Sequence, residues 1–310
     1  MRKADGPLLP ERPEDAATRE RFSRMGWGLL ISQLAGGAVQ LLTVLAAKAF
    51  WCGLEERALF QWTILILANY GVGFPVFVRI IRTVPAGPAR ERRPMGAFQL
   101  VHTWAMAFSA VLAGNLVTLW AGELLRQLTG WSMADPVQGL MAGPVVPRVL
   151  MTCVLAPVCE EVMFRGLLFS RLRPYGDRFA VLATALLFGL FHGNLSQMLY
   201  AMAFGLVLGD AAARTGCLWQ CILIHSAVNA LTGVLAPALT GSGAMGERLL
   251  SLLVAVTAVW GAAGIAARLR QSAKAADRSG EERPWGLFFR NSGMCLFCLL
   301  TALLCISCLR

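Results

Sequence analysis

Charged residues are few in this chain. Asp, Glu, Lys and Arg make up 15% of its 310 positions, against about 25% in soluble globular domains, which excludes a water-soluble globule. Only three histidines occur, none in a His-Glu-x-x-His helix, so that zinc-protease motif is ruled out. No internal repeat is strong enough to indicate an inverted-repeat transporter. The first apolar stretch runs for about 24 residues, beyond the 7 to 15 of a signal-peptide core, and predicts a retained anchor.

Apolar sequence fills the space that charge leaves. Hydrophobic residues are 56% of the chain and the mean hydropathy is positive. A helix needs about 20 apolar residues to cross a bilayer, because every backbone N–H and C=O must be paired inside the segment. Candidate spans fall at about 26–50, 60–78, 97–121, 147–170, 179–193, 196–213, 217–236, 248–267 and 287–309. The fold class predicted is therefore all-α, a polytopic transmembrane bundle of eight or nine helices with a catalytic core of about four. The short fifth span suits a helix buried among others.

Lys and Arg test this parse independently. Segments 1–25, 79–96, 171–178, 214–216 and 268–286 carry 6, 5, 3, 1 and 5 of them, and the intervening loops one or two at most. This alternation predicts a cytoplasmic N-terminus. It also explains the +10 net charge as a basic face meeting anionic lipid, with no need for nucleic acid. The expected organisation is a loose cytoplasmic tail at 1–25 and N-terminal transmembrane helices at 26–146. A flexible basic linker, "TVPAGPARERRPMG" at its centre, interrupts them at 79–96. The core follows at 147–236 and C-terminal transmembrane helices at 237–310. The text is rich in arginine and alanine, which points to a bacterial plasma membrane.

Nine cysteines include two Cys-x-x-Cys pairs, Cys295 with Cys298 and Cys305 with Cys308. One apolar helix cannot wrap four thiolates around a metal, so they are read as packing residues. Cys153, Cys159, Cys217 and Cys221 are read the same way.

Polar groups interrupt the apolar text at three places. Residues 156–169, "APVCEEVMFRGLLF", place Glu160, Glu161 and Arg165 in one span. At the bilayer centre each charge costs about 2.5 to 3.5 kcal/mol, so such residues need a purpose. "FGLFH" at 188–192 ends in His192, and "HSAVN" at 225–229 puts His225 and Asn229 on one helical face. Counting about 1.5 Å per residue from the cytoplasmic ends, Glu160 lies roughly 15 Å deep, His192 about 20 Å and His225 about 12 Å. Pro157 removes a backbone bond and is expected to bend the helix just before Glu160. His102 reads as packing or interfacial, and Asp210 with Arg214 as a pair at a helix end.

The three signatures, Glu-Glu-x-x-x-Arg at 160–165, Phe-x-x-x-His at 188–192 and His-x-x-x-Asn at 225–229, resemble those of a known family. So do "FGLVLG" at 204–209 and "RTGCLWQCILIH" at 214–225. It is the CPBP family of CAAX-processing and bacteriocin-processing proteases, also called Abi-type, which includes the type II CAAX prenyl endopeptidases. The resemblance covers about 147–236 and implies an intramembrane protease whose first glutamate, Glu160, is the base.

The chemistry agrees with it. Peptide hydrolysis needs an activated water, donors for the oxyanion and a proton for the leaving amine. Glu160 suits the base, and His192 a partner that orients the water or carries the proton. His225 and Asn229 suit the oxyanion, and Glu161 with Arg165 a structural i, i+4 pair. Phe188 is read as packing. No cofactor is expected, although Glu160, His192 and His225 would also make a zinc set, from three separate helices. A non-catalytic membrane partner or proton-coupled carrier is a third reading. The expected partners are the bilayer and a membrane-associated or lipidated protein or peptide substrate.

Overall fold

The computed structural model describes residues 12–51, 53–135, 143–276 and 284–310. Ten helices account for nearly all of them. They are α1 (Pro13–Phe50), α2 (Ala58–Ile81), α3 (Ala97–Thr129), α4 (residues 145–172), α5 (Asp177–Phe191), α6 (Leu195–Thr215), α7 (Leu218–Gly241), α8 (Ala244–Ala276), α9 (Trp285–Phe289) and α10 (Ser292–Ser307). Six of these, α1, α2, α3, α6, α7 and α8, are long and apolar enough to cross a membrane. The chain is an all-α integral membrane bundle.

Three expected spans fall outside these six, one of them α4, whose Arg148, Glu160, Glu161 and Arg165 interrupt its apolar sequence. α5 has 15 residues, about 22 Å of helix, which is short of a hydrocarbon core of about 30 Å. The last span is broken into α9 and α10. Asn291 stands at the break, donating to the Leu287 and Phe288 carbonyls while its Oδ1 accepts from the Met294 amide at 2.9 Å. That side chain ends one helix and caps the next.

The segment read as a loose tail is helical from Pro13 onward. Phe22 and Met25 are fully buried, and Phe22 packs against Tyr175, Phe179 and Phe288 with ring centroids 4.8 to 5.9 Å apart. Residues 1–11 lie outside the described residues.

The basic linker also differs from expectation. After α2 ends, residues 83–96 run without helix as a strap across four helices rather than as a flexible tether. The Gly87 amide donates to the Ser170 carbonyl at 2.9 Å and the Arg93 amide to that of Thr215 at 2.7 Å. Fully buried Gln220 both accepts from the Met95 N–H and donates to the Met95 carbonyl, each at 2.9 Å. Arg90 pairs with Asp177 at 2.7 Å. Backbone groups without helical partners are thus satisfied by distant carbonyls and one amide side chain.

Three helices, α2, α4 and α7, contain four turns widened to the π register, and three of these turns have one cause. Leu67–Gly73, Leu150–Leu155 and Leu231–Leu235 each precede a helical segment whose second residue is proline, at Pro75, Pro157 and Pro237. Proline lacks the N–H and crowds the preceding turn, so the ladder shifts by one. The fourth, Val162–Leu168, contains Arg165 and no proline.

Small residues let the central helices approach. A Cβ on Gly114 of α3 would stand 2.5 Å from the Tyr200 Cα of α6, and one on Gly205 of α6 3.0 Å from the Ala185 Cα of α5. Such contacts drive helix association where lipid removes the hydrophobic advantage.

Candidate active site

The site is built where α4, α5, α6 and α7 meet. Glu161 is fully buried. Its Oε1 accepts from Arg165 Nη1 at 3.1 Å and from His225 Nδ1 at 2.8 Å. Arg165 spends its second amino group on the Gly205 carbonyl at 3.1 Å, and its guanidinium lies 4.6 Å from the centre of the Phe188 ring. Glycine at 205 keeps that carbonyl within reach, since a Cβ there would come within 3.3 Å of the guanidinium. Glu161 is thus a charge neutralised inside the bundle and committed to two partners.

Glu160 faces another way, because successive helical residues are turned by about 100°. Its side chain keeps 20% of its surface and its Oε2 stands 3.9 Å from His225 Nε2. It lines a cavity of about 400 Å³ together with His192, His225 and Asn229, within the usual range of about 300 to 1,000 Å³ for ligand sites. The adjacent glutamates therefore occupy different surroundings, one consumed by Arg165 and one open to the cavity.

The bond to the Glu161 carboxylate makes Nδ1 of His225 a donor and turns Nε2 toward Glu160. His192 is oriented similarly. It ends α5, and its Nδ1 lies 2.8 Å from the Phe188 carbonyl, one turn back, which leaves Nε2 free. Gly193, at φ +64°, makes the turn that L side chains resist. Asn194 then caps α6 by accepting from the Gln197 amide at 2.9 Å and holds the His192 carbonyl at 2.9 Å. The loop bearing His192 is fixed on both sides.

Asn229 donates to the Thr152 carbonyl at 2.8 Å. Thr152 lies in the widened turn of α4, where a carbonyl looks to the N–H five residues on. That residue is Pro157, which has none, and the Asn229 amide takes its place. One N–H of Asn229 is thus engaged in holding α4, and the other remains for a ligand.

Phe188 does more than fill space. Its ring meets those of His192, His225 and Phe164 edge to face, at 5.1, 6.0 and 5.0 Å, beneath the Arg165 guanidinium. It is the wedge that spaces the two imidazoles. Sequence reasoning also passed over Tyr70, Tyr200, Asn115 and Gln197, which line the same cavity. Only three tyrosines exist in the chain, and two being here is the signal that was available. Among the described residues no three His, Cys, Asp or Glu side chains gather closely enough to hold a metal. His102 lies against Phe98 and Trp260, and Asp210 pairs with both Arg214 and Arg268.

An apolar helix bundle enclosing a carboxylate, two histidines and an amide defines a class of membrane protein with a buried polar site. Comparison with known proteins narrows it. Residues 142–231 match the family described as type II CAAX prenyl endopeptidase Rce1-like. A protein of Bacillus subtilis (strain 168), named "Putative membrane peptidase YdiL", is 27% identical over 161 residues. That match takes in 50% of this chain and 64% of the relative, so the chain spans less than two thirds of that protein's length. No solved structure gives a significant match. On these findings and the three motifs, residues 142–231 are similar to the type II CAAX prenyl endopeptidase family.

Proposed function

We propose that this protein is an intramembrane endopeptidase that cleaves membrane-associated or lipidated protein or peptide substrates with a water activated by Glu160. The observation carrying this reading is the division between the two glutamates: Glu160 is open to the cavity beside His225, and Glu161 is held by Arg165. The family likeness and the relative's name support the same reaction class.

Glu160 takes a proton from water, and the resulting hydroxide attacks the scissile carbonyl carbon. The free Nε2 of His192 accepts from the same water and orients it. The oxyanion receives the second N–H of Asn229 and, from His225 in its doubly protonated form, Nε2–H. Two carboxylates, one guanidinium and one imidazolium leave the site neutral, which suits a dry interior. The C–N bond then breaks, Glu160 returns its proton to the leaving amine, and a carboxylic acid and an amine depart. The segments rich in Lys and Arg face the cytoplasm of a bacterial cell.

Proteomics of membranes carrying wild type or Glu160→Gln tests this reading. Fragments present with wild type and absent with Glu160→Gln are expected, and a strong chelator leaves them unchanged. Fragments that vanish on chelation and return with stoichiometric zinc would replace the base by a metal-bound hydroxide. Identical fragment sets from both proteins would remove the peptidase assignment.

A further inference from the structure

A second cavity lies away from the site, where α2 meets the strap. It is an open groove of about 760 Å³ lined by Phe74, Pro75, Val78, Arg79, Arg82 and Thr83. These residues follow one another along about 14 Å of chain at helical rise, with apolar side chains at one end and cations at the other. α2 is long and apolar enough to span a bilayer and ends at Ile81, so the cations stand where hydrocarbon gives way to headgroups.

Several arginines elsewhere in the structure are paired with carboxylates. Arg90 and Arg173 share Asp177, and Arg214 and Arg268 share Asp210. Arg79 and Arg82 are exposed and meet no carboxylate among the described residues. Arg171 behind them is buried and adds a third cation. Its guanidinium donates to the carbonyls of Ile81, Val84 and Leu167 and to no carboxylate among the described residues. The groove thus combines excess positive charge with an apolar wall inside the bilayer.

We propose that this groove binds one anionic phospholipid, its phosphate held by Arg79 and Arg82 and an acyl chain lying along Phe74, Pro75 and Val78. Free phosphate would gain nothing from the apolar wall, and a zwitterionic lipid carries a cation that the arginines repel. Basic pockets at the ends of transmembrane helices hold acidic headgroups by this chemistry.

Native mass spectrometry of the full chain, offered phosphatidylglycerol and phosphatidylcholine in equal amounts, reads this directly and needs no proteolytic activity. Wild type should retain one phosphatidylglycerol in preference. Arg79→Gln with Arg82→Gln should lower that preference roughly thirtyfold, five- to sixfold per arginine. Arg57→Gln with Arg92→Gln removes the same charge outside the groove and should leave it unchanged. Both groove arginines are exposed, and Arg82→Gln alone carries the test should the double variant fail to fold. Equal retention by the groove variant, no headgroup preference in wild type, or displacement of the lipid by millimolar inorganic phosphate would each overturn the proposal.

Discussion

α6 and α8 are both long apolar helices, yet 44% of the most apolar stretch of α6 is buried against 17% of that of α8. α8 is the more apolar of the two. Burial here follows what a helix offers its neighbours. α6 presents Gly205 to Ala185 and to the Arg165 guanidinium, whereas α8 makes its close approach to α3, at Gly261 and through Ser109, and turns Leu249, Leu252, Val256 and Val259 outward. Lipid tails are as apolar as leucine, so hydropathy alone draws no helix inward; close backbone approach and polar partners do.

Breaking the polar centre should have the largest effect. Arg165→Met leaves Glu161 buried without its cation, and a loss of about 3 to 5 kcal/mol is expected, read as a lower melting temperature in detergent. Arg93→Ala, at an exposed pair with Glu91, should stay within about 1 kcal/mol. Steric closure comes next. Gly114→Val drives a side chain into the Tyr200 backbone and should cost at least 1 to 3 kcal/mol, roughly the usual range for overpacking. Gly37→Val, with nothing within 4 Å, should melt like wild type and would sharpen the contrast.

Smaller effects follow at the periphery of the core. Gln220→Ala removes both bonds that clamp Met95, about 1 to 3 kcal/mol. It should expose residues 83–95 to limited proteolysis while the helices persist. Tyr200→Phe removes a hydroxyl from the cavity wall, and cleavage should fall a fewfold with no change in melting. A Tyr200→Phe protein that melts lower would make the residue structural.

Hydropathy made the long helices legible, and their scarce polar residues marked the site. Glu160, His192, His225 and Asn229 do face one cavity. Proline foretold the loosened turn before Glu160. The strap was not legible, because its order comes from carbonyls of Ser170 and Thr215 and from Gln220, far away in sequence. Periodicity carries no trace of such bonds. Nor could spacing tell that Asn229 holds the Thr152 carbonyl, since that need arises only from the missing N–H of Pro157. Tyr70 and Tyr200 sit in apolar text where an aromatic reads as packing.

The central claim is that two adjacent glutamates have separate tasks, and one paired measurement tests it most directly. Glu160→Gln and Glu161→Gln are purified side by side, melted in detergent, and returned to membranes for fragment analysis. The account predicts that Glu160→Gln melts with wild type and yields no fragments, while Glu161→Gln melts lower because Arg165 is left buried without its carboxylate. Wild-type fragments from Glu160→Gln, or wild-type melting of Glu161→Gln, would contradict it.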